Sequence, residues 1–80
     1  MSMRNSLNAE AKLQALLREV RTEAGIRQTD LAERLGQPQS FVSKYESGER
    51  RLDILELRDV CEALGLPLAE FVERLEDRLK

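Results

Sequence analysis

Apolar residues recur along this chain at helical spacing in five short runs, and none of these runs alternates as a strand would. The first places Leu13, Leu16, Leu17 and Val20 at the i, i+3, i+4, i+7 positions of one helix face. Asn8 is the expected N-cap of this helix, which would run to about Ala24, with Gly25 as its stop. Residues 1 to 8 carry no apolar period and are expected to form a flexible arm. A second helix is expected over about Gln28 to Leu35, burying Leu31, Ala32 and Leu35, with Gly36 closing it. The third begins near Pro38, whose missing N–H costs nothing at a helix start. Val42 and Tyr45 are its inward positions, and it ends at Ser47–Gly48. Asp53 then caps a fourth helix, with Glu56 three residues on in capping-box register. Ile54, Leu57, Val60, Cys61 and Leu64 make its buried stripe, and Gly65 ends it. Leu66–Pro67 opens a fifth helix carrying Leu68, Phe71, Val72, Leu75 and Leu79. The pattern predicts an all-α fold, a compact bundle of five short helices forming one domain over residues 9–80.

The second and third helices are brief, amphipathic and joined by a Gly-containing turn, which is the arrangement of a helix-turn-helix. In that motif the second helix lies in a DNA major groove. With Val42 and Tyr45 inward, the free face of the third helix presents Gln39, Ser40, Ser43 and Lys44. Gln suits a bidentate contact to adenine, Lys suits guanine or phosphate, and Ser serves either base type. An ordinary solvated face would also be polar, so this composition gains its meaning from the motif around it. Phe41 has two readings of equal weight: contact with a thymine methyl or a deformable base step, or cover for the side of the core.

The chain resembles the Cro and phage-repressor type of helix-turn-helix, also called the XRE family. The residues that carry the resemblance are Arg21, Gly25, Gln28, Leu31-Ala32, Gly36, Val42-Ser43, Glu46-x-Gly48 and Ala63-Leu64-Gly65, spread over residues from about 13 to 72. The chain departs from the family pattern at Arg27, where Ser or Asn is common, and at Pro38, where Ser or Thr often opens the third helix. The resemblance implies double-stranded DNA as partner. It also implies that Gln28 touches the DNA backbone while bracing Gln39, and that Arg21 pairs with Glu46 to link the first and third helices. Arg27, Arg50 and Arg51 flank the motif and are expected to contact phosphates.

Composition changes the picture less. The 80 residues carry 13 Lys and Arg against 15 Asp and Glu, a formal charge of −2, which at first argues against nucleic acid. The distribution argues the other way. The cations Arg4, Lys12, Arg18, Arg21, Arg27, Arg34, Lys44, Arg50 and Arg51 precede residue 52, while acidic residues dominate the remainder. One cysteine, Cys61, excludes an internal disulfide and fits a reducing cytoplasm. It is expected to behave as a small buried hydrophobe. With no histidine and one cysteine, no metal site is expected, and neither are a cofactor, a small-molecule ligand or a membrane span. No nucleophile–base pair or phosphate loop accompanies the carboxylates, so an enzyme is not expected.

The fifth helix suggests assembly. Its stripe of Phe71, Val72, Leu75 and Leu79 extends beyond what one small core is expected to cover, so pairing two such helices about a two-fold axis would bury it. The reading is a sequence-specific transcriptional regulator of the small repressor or controller type, binding a palindromic operator as a homodimer. Two alternatives stay open. One is a DNA-binding antitoxin with a toxin partner. The other is a protein-interaction module that kept the fold without DNA binding, which the acidic balance favours.

Overall fold

The computed structural model describes residues 6–80. Among them lie five helices and no strand: α1 Ser6–Glu23, α2 Gln28–Leu35, α3 Gln39–Ser47, α4 Ile54–Ala63 and α5 Leu68–Leu79. The architecture is the all-α bundle that the periodicity predicts. No helix among the described residues is long and apolar enough to cross a membrane.

The start of α1 differs from expectation. Asn8 lies inside the helix, two residues past its first turn's beginning, and so is not its N-cap. Ala9, Glu10 and Ala11 are good helix formers, and they outweigh the neutral propensity of a single Asn. The remainder of the expected arm, residues 1–5, lies outside the described residues.

Leu16, Leu17 and Val20 of α1 meet Leu31 and Ala32 of α2, Val42 and Tyr45 of α3, Leu57, Val60 and Cys61 of α4, and Phe71 of α5 in one core. Each fully buried Leu or Phe contributes roughly 1.5–3 kcal/mol, so this cluster outweighs any single polar contact in the molecule. Burial pushes the Cys61 thiol up to about 11, as an inert structural cysteine requires.

The α2–α3 turn is set by its glycines. Gly36 adopts φ 65° and donates its N–H to the carbonyls of Ala32 and Glu33. Gly48, at φ 89°, ends α3, and a Cβ there would also meet Gln14 Oε1 at 3.2 Å. The positive φ is what favours glycine at position 48, since the amide end of Gln14 has only to give slightly. At the start of α4, Glu56 donates its N–H to Asp53 Oδ1 at 2.7 Å, and Asp53 returns its own N–H to Glu56 Oε1 at 2.9 Å.

Two apolar expectations are corrected. Ile54 is not in the buried stripe of α4 but 61% exposed, and the adjacent Leu55 is 69% exposed. Side chains tilt toward a helix's N-terminus, so the first residue of α4 overhangs the core instead of entering it. The apolar stripe of α5 is largely covered within one chain. Phe71 is fully buried and Leu75 packs partly buried against the core, leaving Val72 and Leu79 a little over one-third exposed. The long α1 provides this cover, and Arg78 fastens the end of α5 to it through two 2.9 Å bonds to the Glu19 carboxylate. Phe71 is thus a core residue and not free for an interface, while Leu75 is partly committed to the core.

Candidate nucleic-acid interface

The exposed side of α3 follows from its buried side. Val42 and Tyr45 are drawn into the core, which turns Gln39, Ser40 and Lys44 to solvent and leaves Ser43 half-buried beside them. Pro38 precedes the helix in extended backbone at φ −68° and ψ 156°, so the chain enters α3 without a capping side chain.

A continuous hydrogen-bonded chain ties this face to the core. Arg21 grips Glu46 with two bonds, Nε to Oε2 at 2.7 Å and a terminal nitrogen to Oε1 at 3.0 Å. Its other terminal nitrogen donates to the Ile26 carbonyl at 2.9 Å, at the entrance to α2. Gln28 Nε2 donates to the same Glu46 Oε1 at 3.0 Å, and Gln39 Nε2 donates to Gln28 Oε1 at 3.2 Å. Both side chains of the ion pair are less than one-tenth exposed. The hydrogen bonds to Glu46 hold the Arg21 guanidinium more firmly protonated than usual. Helices α1, α2 and α3 are thereby joined through one carboxylate, and the first residue of α3 is held in a fixed pose.

The two pairings that the resemblance implies, Arg21 with Glu46 and Gln28 with Gln39, are both formed. The bond between Gln28 and Glu46 that merges them was not legible in the sequence. Each of those residues has one obvious partner at motif spacing, and the shared carboxylate emerges only in three dimensions.

The flanking arginines are placed less uniformly. Arg27 is exposed at the start of α2, where both its backbone N–H and its guanidinium bind the Asp30 carboxylate at 3.1–3.2 Å. An Arg side chain has no acceptor with which to cap a helix, so only the reverse half of a capping box forms: Asp30, three residues on, accepts the Arg27 N–H. That contact holds the Asp30 carboxyl below its usual range. Arg50 donates to Glu56 at 2.7 and 3.2 Å and lies 4.7 Å above the centre of the Phe41 ring. Phe41 in turn meets Tyr45 edge-on, with 5.7 Å between ring centres. Phe41 is therefore half-buried, with one edge against the core and one face under a guanidinium, which is the core-cover reading. Arg51 and Lys44 are exposed and enter no ion pair among the described residues.

The arrangement is a short rigid helix with an exposed amide, hydroxyls and an ammonium, flanked by guanidinium groups. Residues 17–71 match the helix-turn-helix family model. Among solved structures, an XRE-family-like protein from Pseudomonas syringae pv. tomato str. DC3000 is 45% identical, with 96% of this chain and 95% of that one covered at a TM-score of 0.85. A mutant of the restriction–modification controller protein C.Esp1396I, bound to its highest-affinity operator site, is 29% identical over 90% of this chain and 96% of that one, at a TM-score of 0.81. The clp gene regulator ClgR from C. glutamicum is 28% identical over 86% and 88%, at a TM-score of 0.76. No curated protein sequence matches the chain. The chain belongs to the XRE-type helix-turn-helix family of DNA-binding transcriptional regulators.

Proposed function

We propose that this protein binds a two-fold symmetric operator as a homodimer and regulates transcription by occupying it. The observation that carries the proposal is the Arg21–Glu46–Gln28–Gln39 chain, which fixes an exposed polar helix face of the kind that reads base edges. Gln39 would make a bidentate contact to adenine, Lys44 would donate to guanine or phosphate, and Ser40 and Ser43 would complete the readout. Phe41 borders the same face. Gln28 sits at the start of α2, where free backbone N–H groups favour a phosphate, and Arg27, Arg50 and Arg51 would hold the flanking backbone.

A nine-residue α3 is roughly 13 Å long and fills a single major-groove segment. Reading two successive segments takes a second copy, which is the reason for a dimer. Coupled dimerisation and DNA binding would make occupancy respond to protein concentration. The operator-bound relative supports this reading.

Selection of bound duplexes from a random pool tests it. The expected result is enrichment of an inverted repeat with half-site centres about 10 bp apart. Enrichment of a single unrepeated motif contradicts the dimeric reading, and no enrichment contradicts the operator reading.

A further inference from the structure

We infer that Glu56, although acidic, is a positioning residue for DNA binding that aims one edge of Arg50 at a backbone phosphate; the inference rests on the operator reading above. A guanidinium carries five N–H donors in one plane. On Arg50 three of them are taken. Nη1 donates to the Arg51 carbonyl at 2.9 Å and to Glu56 Oε1 at 3.2 Å, and Nη2 donates to Glu56 Oε2 at 2.7 Å. The Phe41 ring backs one face of the plane, 4.7 Å from its central carbon. The Nε–H and the second Nη2–H remain, parallel along one edge and without a partner among the described residues. Arg21 uses that same edge to grip a carboxylate, with Nε and Nη2 at 2.7 and 3.0 Å from the oxygens of Glu46. A phosphate offers an equivalent pair of oxygens to the edge that Arg50 keeps open.

The surroundings fit that acceptor. Arg50 shares a recess of about 280 Å³ with Ser40, Phe41 and Lys44, so a phosphate beside α3 meets a second cation and a hydroxyl there. Glu56 is itself fixed, because its Oε1 also accepts the Asp53 N–H at 2.9 Å. The guanidinium is thereby referred to the start of α4 and not to a loose side chain. A carboxylate near DNA ordinarily repels it, and two effects of opposite sign meet at this position. Repulsion between exposed charges is screened by salt. The ordering of a long side chain is not screened, and Glu56 has imposed it on Arg50 before DNA arrives. Positioning therefore outweighs repulsion at moderate salt, and removing this negative charge weakens DNA binding.

Titration of the selected duplex with the full chain and its variants at moderate salt tests this. Glu56→Gln removes the charge but keeps an oxygen for the Asp53 N–H, so the capping box and the thermal transition should survive. Asp59→Asn removes an exposed charge from the same helix that enters no ion pair among the described residues, and so reports repulsion alone. The expected result is binding weakened roughly threefold or more by Glu56→Gln, and unchanged or tightened by Asp59→Asn. In an Arg50→Ala background, Glu56→Gln should cost nothing further, because the two residues act through one contact. Binding that is unchanged or tightened by Glu56→Gln overturns the inference. So does a loss of the same size in the Arg50→Ala background, or an Arg50→Ala variant that binds as the unaltered chain does; each leaves the operator reading intact. An unaltered chain that prefers no duplex defeats the operator reading itself, and the inference with it.

Discussion

Glu46 is the residue on which most of the site depends. Its carboxylate accepts from Arg21 twice and from Gln28 once, and Gln28 then orients Gln39. Desolvating a salt bridge is costly, so the pair is better understood as a joint between helices than as a source of net stability. Breaking it from one side is a different matter, since Arg21 is buried and would be left without its counter-charge. Glu46→Ala should therefore destabilise the fold by roughly 3–5 kcal/mol in denaturant unfolding. Arg21→Met with Glu46→Leu should recover much of that loss while leaving Gln39 unbraced. Equal losses for the single and double changes would contradict this account. The same scale explains why the flanking arginines are not equivalent. Arg50 is held against Phe41 by Glu56, so any phosphate it meets finds it pre-positioned, whereas Arg51 must be ordered at the moment of binding.

At the scale of the elements, caps and carboxylate–arginine contacts fasten the ends of helices. Glu19 is held below its usual carboxylate range by its hydrogen bonds to Arg78, Asp30 by those to Arg27, and Glu56 by those to Arg50 and then by the Asp53 N–H. A carboxylate whose folded pKa is depressed favours the folded state above its unfolded value. That contribution disappears as pH falls through the folded value. Thermal stability should accordingly be flat near neutrality and decline as pH drops below about 4.5. Glu19→Gln should decline less steeply over the same range. An acid limb unaltered by that change would remove the α1–α5 clasp from the account.

The same elements show what a sequence makes legible. Helices α2 to α4 are bounded by Gly, Pro and Asp signals that act locally, and their limits follow from the residues alone. The fate of the α5 stripe depends on where α1 lies, sixty residues away in the chain. Periodicity identified that stripe as apolar but could not say whether α1 or a second copy would cover it. Ile54 misled for a related reason. It has the right spacing for the core of α4 but lies beyond the end of that core, and position along an axis is not encoded in period.

At the scale of the whole molecule, the body measures 36 × 24 × 21 Å, and in the proposed complex it would present α3 to one half-site. The formal charge of −2 is unevenly spread, because α4 and α5 carry seven acidic residues against three basic ones, while Arg27, Lys44, Arg50 and Arg51 lie on or beside the helix-turn-helix. Long-range attraction is then a property of one side, and added salt should weaken binding by screening that side alone. In a symmetric complex every base contact occurs twice, so a substitution on α3 acts on both half-sites. The central claim, that α3 reads the operator, is tested most directly by equilibrium titration of the selected duplex and of random duplex with the unaltered protein, Gln39→Ala and Lys44→Ala at one salt concentration. The account predicts that each substitution costs the selected duplex about 1–3 kcal/mol per contact while affinity for random duplex changes far less. Selected and random duplex losing affinity equally, or neither losing any with the fold intact, would show that α3 does not read bases.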